Sequence, residues 1–194
     1  MLVKDKKLLA TGKHAIIYTA MLGTKKIAIK QQRKDTKSMN IAQKEAYWLR
    51  KTNKKGIGPK LLFYEGNYVV YEFVDGEYLP LWTEKHSKEE ILKIINKILK
   101  QCYTLDRLGI TKEEMHNPYK HILIKNEPVL IDFERARKSL KPQNLTQFCQ
   151  YITTGGYKAI LKKKKIIFDP QKTRKLAKEY KKNFKRKIST KDLL

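Results

Sequence analysis

A chain of 194 residues can bury a good core, and its 44 Lys plus Arg against 19 Asp plus Glu leave a formal net charge of +25. So large a positive charge speaks to partners and not to fold: it favours polyanions such as RNA, DNA, ribosomes or nucleotide phosphates, and a solvated lysine surface accounts for it equally well. Cys102 and Cys149 lie inside apolar helical patterns with no C-x-x-C or Cys/His clustering, which argues against a disulfide framework or a zinc site and fits a reducing, cytoplasmic setting. The first residues lack the apolar run of a signal peptide, and no segment approaches about 18 consecutive apolar residues, so no membrane span is expected.

In chain order, residues 8–10, 16–21 and 26–30 are short β-rich runs separated by turns, which predicts a three-strand meander. Ala42, Ala46 and Leu49 then recur at helical spacing, with Met39 before them, and Gly56-Ile57-Gly58-Pro59 ends that helix. Glu45 falls in its middle. Residues 60–64 and 68–71, joined by Glu65-Gly66-Asn67, read as a hairpin that completes five strands and one helix. At 73–77 the β pattern stops. Ser87 and Glu90 fit a capping box, and Ile91, Ile94, Ile95, Ile98, Cys102 and Leu105 line one face of a long helix reaching Leu108. Gly109 breaks it. Residues 122–124 and 129–131 form a second hairpin, and helices are expected at 145–152 and 173–187.

Three charged residues stand out along this order. Lys30 ends the apolar strand Ile27-Ala28-Ile29-Lys30, where its ammonium needs a carboxylate or phosphate partner. Glu45 follows on the next helix, and Asp132 closes the second hairpin in Leu130-Ile131-Asp132-Phe133-Glu134. With Lys-Glu-Ala at 44–46 and Gly-Ile-Gly-Pro-Lys-Leu-Leu at 56–62, the order resembles the protein-kinase-like fold. It is most similar to the small atypical members: RIO-type kinases, the small kinase of the KEOPS tRNA-modification complex, and archaeal Ser/Thr-type kinases. The resemblance runs to about residue 152. It implies a bilobal α+β fold, with a five-stranded antiparallel sheet and one helix in an N-lobe at 1–75. A reduced, mostly helical C-lobe would take 76–194.

The resemblance also assigns roles. It implies that Lys30 holds the α and β phosphates of ATP, that Glu45 positions Lys30 by an ion pair, and that Asp132 chelates Mg²⁺. The turn Ala10-Thr11-Gly12-Lys13-His14-Ala15 would sit where the family has its glycine-rich loop, with Gly12 kept and Lys13 at the tip. In Tyr-Val-Val-Tyr-Glu-Phe-Val-Asp-Gly at 68–76, Tyr71 would be the gatekeeper, while the Glu72 carbonyl and the Val74 amide would bind adenine. Ile17, Ala28 and Leu123 would sandwich the base. The catalytic loop departs from the family, because residues 109–124 contain no aspartate. Matching forward from the long helix puts Glu114 at the base position; matching backward from Ile122-Leu123 puts His121 at the metal-binding asparagine, with His116 and Asn117 as alternatives. Glu134 replaces the family's glycine, and the long activation segment is absent.

The resemblance therefore implies an ATP- and Mg²⁺-dependent phosphotransferase of the Ser/Thr protein kinase type, acting on a protein substrate or on itself. The alternatives are a nucleotide-binding ATPase or switch, or a pseudokinase, on an RNA- or ribosome-linked assembly. Lysine-dense residues 158–191, in which Leu176, Tyr180, Phe184 and Ile188 recur every fourth position, read as an amphipathic helix whose basic flanks suit RNA phosphates.

Overall fold

A computed structural model of the chain describes residues 3–36, 38–183 and 187–194. It divides into two compact units, Met1–Asp75 with Leu130–Ala136, and Gly76–Val129 with Arg137–Leu194. Among the described residues the fold is α+β, with a five-stranded antiparallel sheet and seven α-helices.

The sheet of the first unit comprises β1 (Val3–Thr11), β2 (Ala15–Leu22), β3 (Lys25–Gln32), β4 (Leu61–Glu65) and β5 (Tyr68–Glu72), in the order β1-β2-β3-β5-β4. The expected meander and hairpin are thus present, with β1 starting earlier than its apolar residues indicate. β1 is exposed throughout, and its pairing to β2 shifts register twice. Lys4, Lys6 and Lys7 along this edge discourage another strand from pairing there. Alternation gives the sheet two faces. Ala20, Ile27, Ile29 and Val70 form the core of one. On the other, Val69 packs with Ala42 and Ala46 of α1 (Ile41–Thr52). After α1, the Asn53 side chain donates to Ile57 O and Pro59 O and accepts from Leu61 N, which holds the turn into β4.

The second unit is mainly helical. It contains α2 (Leu79–Lys85), α3 (Lys88–Arg107), α4 (Asn144–Thr153), α5 (Gly155–Lys163), α6 (Pro170–Asn183) and α7 (Thr190–Leu193). Short strands β6 (Glu77–Tyr78), β8 (Ile122–Ile124) and β9 (Pro128–Leu130) form one small sheet, and β7 (Ile110–Thr111) pairs β10 (Arg137–Lys138). The Ser87–Glu90 capping box opens α3 as expected, and Ile91, Ile94, Ile95, Ile98, Cys102 and Leu105 are all buried. Each such aliphatic side chain contributes about 1.5–3 kcal/mol through burial. Cys102 and Cys149 are buried, and burial pushes both thiols up, Cys149 to about 12.

Helices α2 and α5 were not expected from the sequence. The C-terminal helix also needs correction. Its described part is Pro170–Asn183, and Lys187 and Ile188 are non-helical, so Ile188 does not extend the seam of Leu176 and Tyr180. Phe184 lies outside the described residues. Leu176, Tyr180 and Ile188 are all buried, and the Tyr180 hydroxyl donates to Asp106 Oδ2 at 2.9 Å. Asp106 also accepts from Asn144 N, Asn144 Nδ2 and Leu145 N. Asn144 in turn accepts from Lys112 N and donates to Ile110 O, which ties the start of the 110–116 segment to α3 and α4.

Gly58 lets the turn after α1 pack closely within the first unit. Its φ is +86°, and an added Cβ would lie 2.8 Å from Leu49 Cδ2 and 3.1 Å from Phe133 Cε2. Both the backbone conformation and the space exclude a side chain. Gly58→Ala is expected to lower the unfolding free energy by about 1–3 kcal/mol in denaturant titration; a change below about 0.5 kcal/mol would show that the turn relaxes freely.

Candidate functional site

Strand register places Lys30 opposite Ile17 on β2 and Val69 on β5, on the face of the sheet covered by α1. Ala28, two residues earlier, shares that face and is buried opposite Tyr71. Glu45 lies midway along α1 with its carboxylate directed to Lys30. The segment after β9 turns through Asp132, whose φ of +66° is a left-handed conformation that aspartate tolerates better than most side chains. Phe133, fully buried, anchors this segment, and its amide donates to Glu45 Oε1 at 3.4 Å.

These elements surround one ammonium with three carboxylates. Lys30 Nζ lies 2.7 Å from Glu45 Oε2, 2.8 Å from Asp132 Oδ1 and 3.0 Å from Glu134 Oε2. The Lys30 side chain is 8% exposed and Glu45 1%, against 33% for Asp132 and 12% for Glu134. Burial opposes the charge on Lys30, but Glu45, Asp132, Tyr71 and Glu134 outweigh it and hold its pKa well above the usual lysine value. For Glu45 the balance reverses: burial, helped by Asp132 and Glu134, raises its pKa against the pull of Lys30. Burial and then Glu45 push the Tyr71 phenol up.

Glu45, Asp132 and Glu134 each offer an oxygen within 4.8 Å of the others. An all-oxygen set suits a hard cation such as Mg²⁺, whereas an imidazole such as that of His121 suits softer metals. The donor chemistry therefore fits Mg²⁺. Asp132 and Glu134, the more exposed pair, are the side chains suited to hold it.

The site thus brings Lys30, Glu45 and Asp132 together, with Ile17 and Ala28 on the same sheet face. Gly12 N donates to Ala15 O at 2.8 Å, so that amide is used within its own turn. Lys13 is exposed there, and the His14 ring bonds to Thr36 Oγ1 at 2.9 Å. Glu72 ends β5 with its carboxylate near Lys25 and Lys60, and Val74 is half-buried just beyond. The loop candidates belong to the second unit. Glu114 lies in a one-turn helix, Glu113–His116, and is 7% exposed; its Oε2 meets Lys112 Nζ at 2.7 Å. His116 is exposed, with Nδ1 2.8 Å from Glu113 O, and Asn117 is exposed at the end of that turn. His121 is half-buried, its amide donating to Pro118 O, and Leu123 pairs with Tyr78.

Glu134 was missed as a member of the site. The only signal in the sequence was a second acid one residue beyond the apolar Phe133. The buried partners Lys112, Asn144 and Asp106 gave none.

Removing Lys30 would leave three carboxylates facing each other. Lys30→Ala is expected to cost about 3 kcal/mol at pH 7, as when one partner of a buried ion pair is deleted. Without the ammonium the folded-state carboxylate pKa values rise above their unfolded values. The folded variant then binds more protons than its unfolded form, and its stability climbs as pH falls toward the carboxylate range. In the unsubstituted protein, the contribution of Lys30, whose folded pKa is raised, is complete below the ordinary lysine value and is lost only as pH rises past the folded one. Denaturant midpoints at pH 7 and pH 4.5 should therefore show the deficit shrinking at pH 4.5; an unchanged or growing deficit would contradict this electrostatic reading.

No family model matches the chain. It is 36% identical over 115 residues to the Uncharacterized protein MJ1211 of Methanocaldococcus jannaschii, a match covering 57% of the chain and 98% of that protein. At that identity over nearly the whole length of the relative, the chain belongs to the same family as this archaeal protein.

Proposed function

We propose that the chain is an atypical ATP- and Mg²⁺-dependent phosphotransferase of the Ser/Thr protein kinase type, similar to RIO-type kinases and the small KEOPS kinase. In this reading its two units are the lobes of a bilobal fold. The observation that carries it is the buried Lys30 ammonium, 2.7 Å from Glu45 and 2.8 Å from Asp132. A sealed lysine held by one buried acid and one partly exposed acid is suited to exchange the second for a phosphate.

Lys30 binds the phosphates, and Glu45 fixes the ammonium so that little reorganisation accompanies binding. Asp132 and Glu134 would hold Mg²⁺, which when bound would neutralise negative charge on the triphosphate. The Glu72 carbonyl and Val74 amide bind the adenine edge, with Ile17 and Ala28 against its face and Gly12 and Lys13 over the phosphates. Glu114 orients the acceptor hydroxyl and receives its proton as the oxygen attacks the γ-phosphorus and ADP leaves; His121 is its companion in the loop. The acceptor is a protein hydroxyl or one of the chain's own. No described helix is long and apolar enough to cross a membrane, and a cytoplasmic setting fits this reading. The exposed Lys175, Lys178 and Lys182 of α6 supply a basic surface for RNA or ribosome contact.

One observation favours a second reading. The Glu114 carboxylate is already paired with the fully buried Lys112, which suits a nucleotide-binding ATPase, switch or pseudokinase on an RNA-linked assembly.

Mg-ATP should raise the melting temperature, and label from γ-labelled ATP should reach the protein or a candidate substrate. Asp132→Ala should reduce transfer by at least about a hundredfold. Absence of both the Mg-ATP shift and transfer would contradict nucleotide chemistry at this site. Glu114→Gln separates the two readings. A phosphotransferase using Glu114 should lose about 10²–10⁴-fold in transfer while retaining Mg-ATP binding; unchanged binding and ADP release, with no labelled product from either protein, would favour the second.

A further inference from the structure

We propose that Glu134 makes nucleotide binding at Lys30 depend on a divalent cation, by keeping the ammonium in a cage too acidic for free ATP. The inference rests on the nucleotide-site reading above. Its basis is Glu134 Oε2, 3.0 Å from Lys30 Nζ on a side chain only 12% exposed. Lys30 needs one buried partner, and Glu45 already supplies it at 2.7 Å. Asp132 brings the local charge to minus one, and Glu134 brings it to minus two. A tetra-anionic triphosphate entering alone would meet that excess in a poorly solvated site. At an effective dielectric of about 20, one negative charge about 6 Å from a phosphate charge changes affinity roughly a hundredfold, and solvent screening leaves at least about tenfold.

A cation entering with the phosphates removes the obstacle. It attracts Asp132 and Glu134, the less buried members of the oxygen cluster, and frees the ammonium for phosphate while Glu45 stays in place. Cation and nucleotide then strengthen each other's binding by the same factor. Glu134 acts here through its charge beside Lys30 when the cation is absent, in addition to holding the cation when it is present.

The test measures binding of ATP in EDTA and in excess Mg²⁺ by calorimetry, for the unsubstituted protein, Glu134→Gln and Glu134→Asp, each checked for a cooperative melt. The readout is the ratio of the two dissociation constants. In the unsubstituted protein ATP should bind much more weakly in EDTA. Glu134→Gln keeps the shape and removes the charge, so it should tighten EDTA binding and reduce the ratio at least about tenfold. Glu134→Asp keeps the charge and should preserve the ratio within about threefold. A Glu134→Gln ratio within twofold of the unsubstituted one, a ratio that falls only because Mg-ATP binding weakens while EDTA binding is unchanged, an equal collapse in Glu134→Asp, or strong cation-free binding by the unsubstituted protein would each overturn the proposal. If the unsubstituted protein binds ATP under neither condition, the nucleotide-site reading fails and this inference with it. If it binds Mg-ATP and only the Glu134→Gln ratio fails to move, that reading stands and the role of Glu134 falls.

Discussion

The first unit is organised around an ammonium that cannot reach bulk water. Lys30 projects from β3 toward α1, and a charge so placed is tolerated only with close counter-charges. Glu45 meets that need and thereby fixes the rotation of α1 over the sheet. Its second oxygen accepts the Phe133 amide, which brings in a segment far away in sequence. Phe133 packs beside Gly58, so the bare turn after α1 leaves room for the segment that carries Asp132 and Glu134. Helix, turn and acidic segment each contribute to the environment of one lysine.

The second unit solves a different buried-polar problem. Asp106 is pushed up by burial, opposed by hydrogen bonds from Tyr180, Asn144 and Leu145. That shift is smaller than isolation would produce, because four donors converge on the carboxylate. The network fixes where the 110–116 segment leaves α3, and a turn later Lys112 and Glu114 pair with almost no exposure. Tyr180 gives α6 a structural duty on its inner face, while its lysines project outward. The helix is therefore an integral part of the unit as well as a basic surface.

The sequence disclosed elements whose periodicity follows from their own burial. The five strands are short β-rich runs bounded by turns, although β1 is exposed throughout, and α3 carries a clean apolar stripe with a local capping box, so both were legible. Lys30 and Glu45 were legible as a pair because a strand-end lysine followed by a mid-helix glutamate is the order that the resemblance joins by an ion pair. Glu134 was not, since its position depends on the left-handed turn at Asp132 and on Phe133 finding its pocket. The one-turn helix at Glu113–His116 was hidden for a similar reason: Lys112 and Glu114 look like surface charges until both are buried together. Helix α5 begins with two glycines and ends in a lysine run, and only Tyr157 and Leu161 are buried on it. That Ile188 lies outside α6 was obscured because it continues the four-residue spacing of Leu176 and Tyr180.

The central claim is that Lys30, held by Glu45, is a phosphate-binding group. A crystal structure with Mg²⁺ and a non-hydrolysable ATP analogue tests it most directly. Phosphate oxygens should lie within about 3 Å of Lys30 Nζ, with the Lys30–Glu45 ion pair intact and Glu134 withdrawn from the ammonium. A nucleotide bound elsewhere, or Lys30 still enclosed by all three carboxylates beside a bound nucleotide, would contradict it.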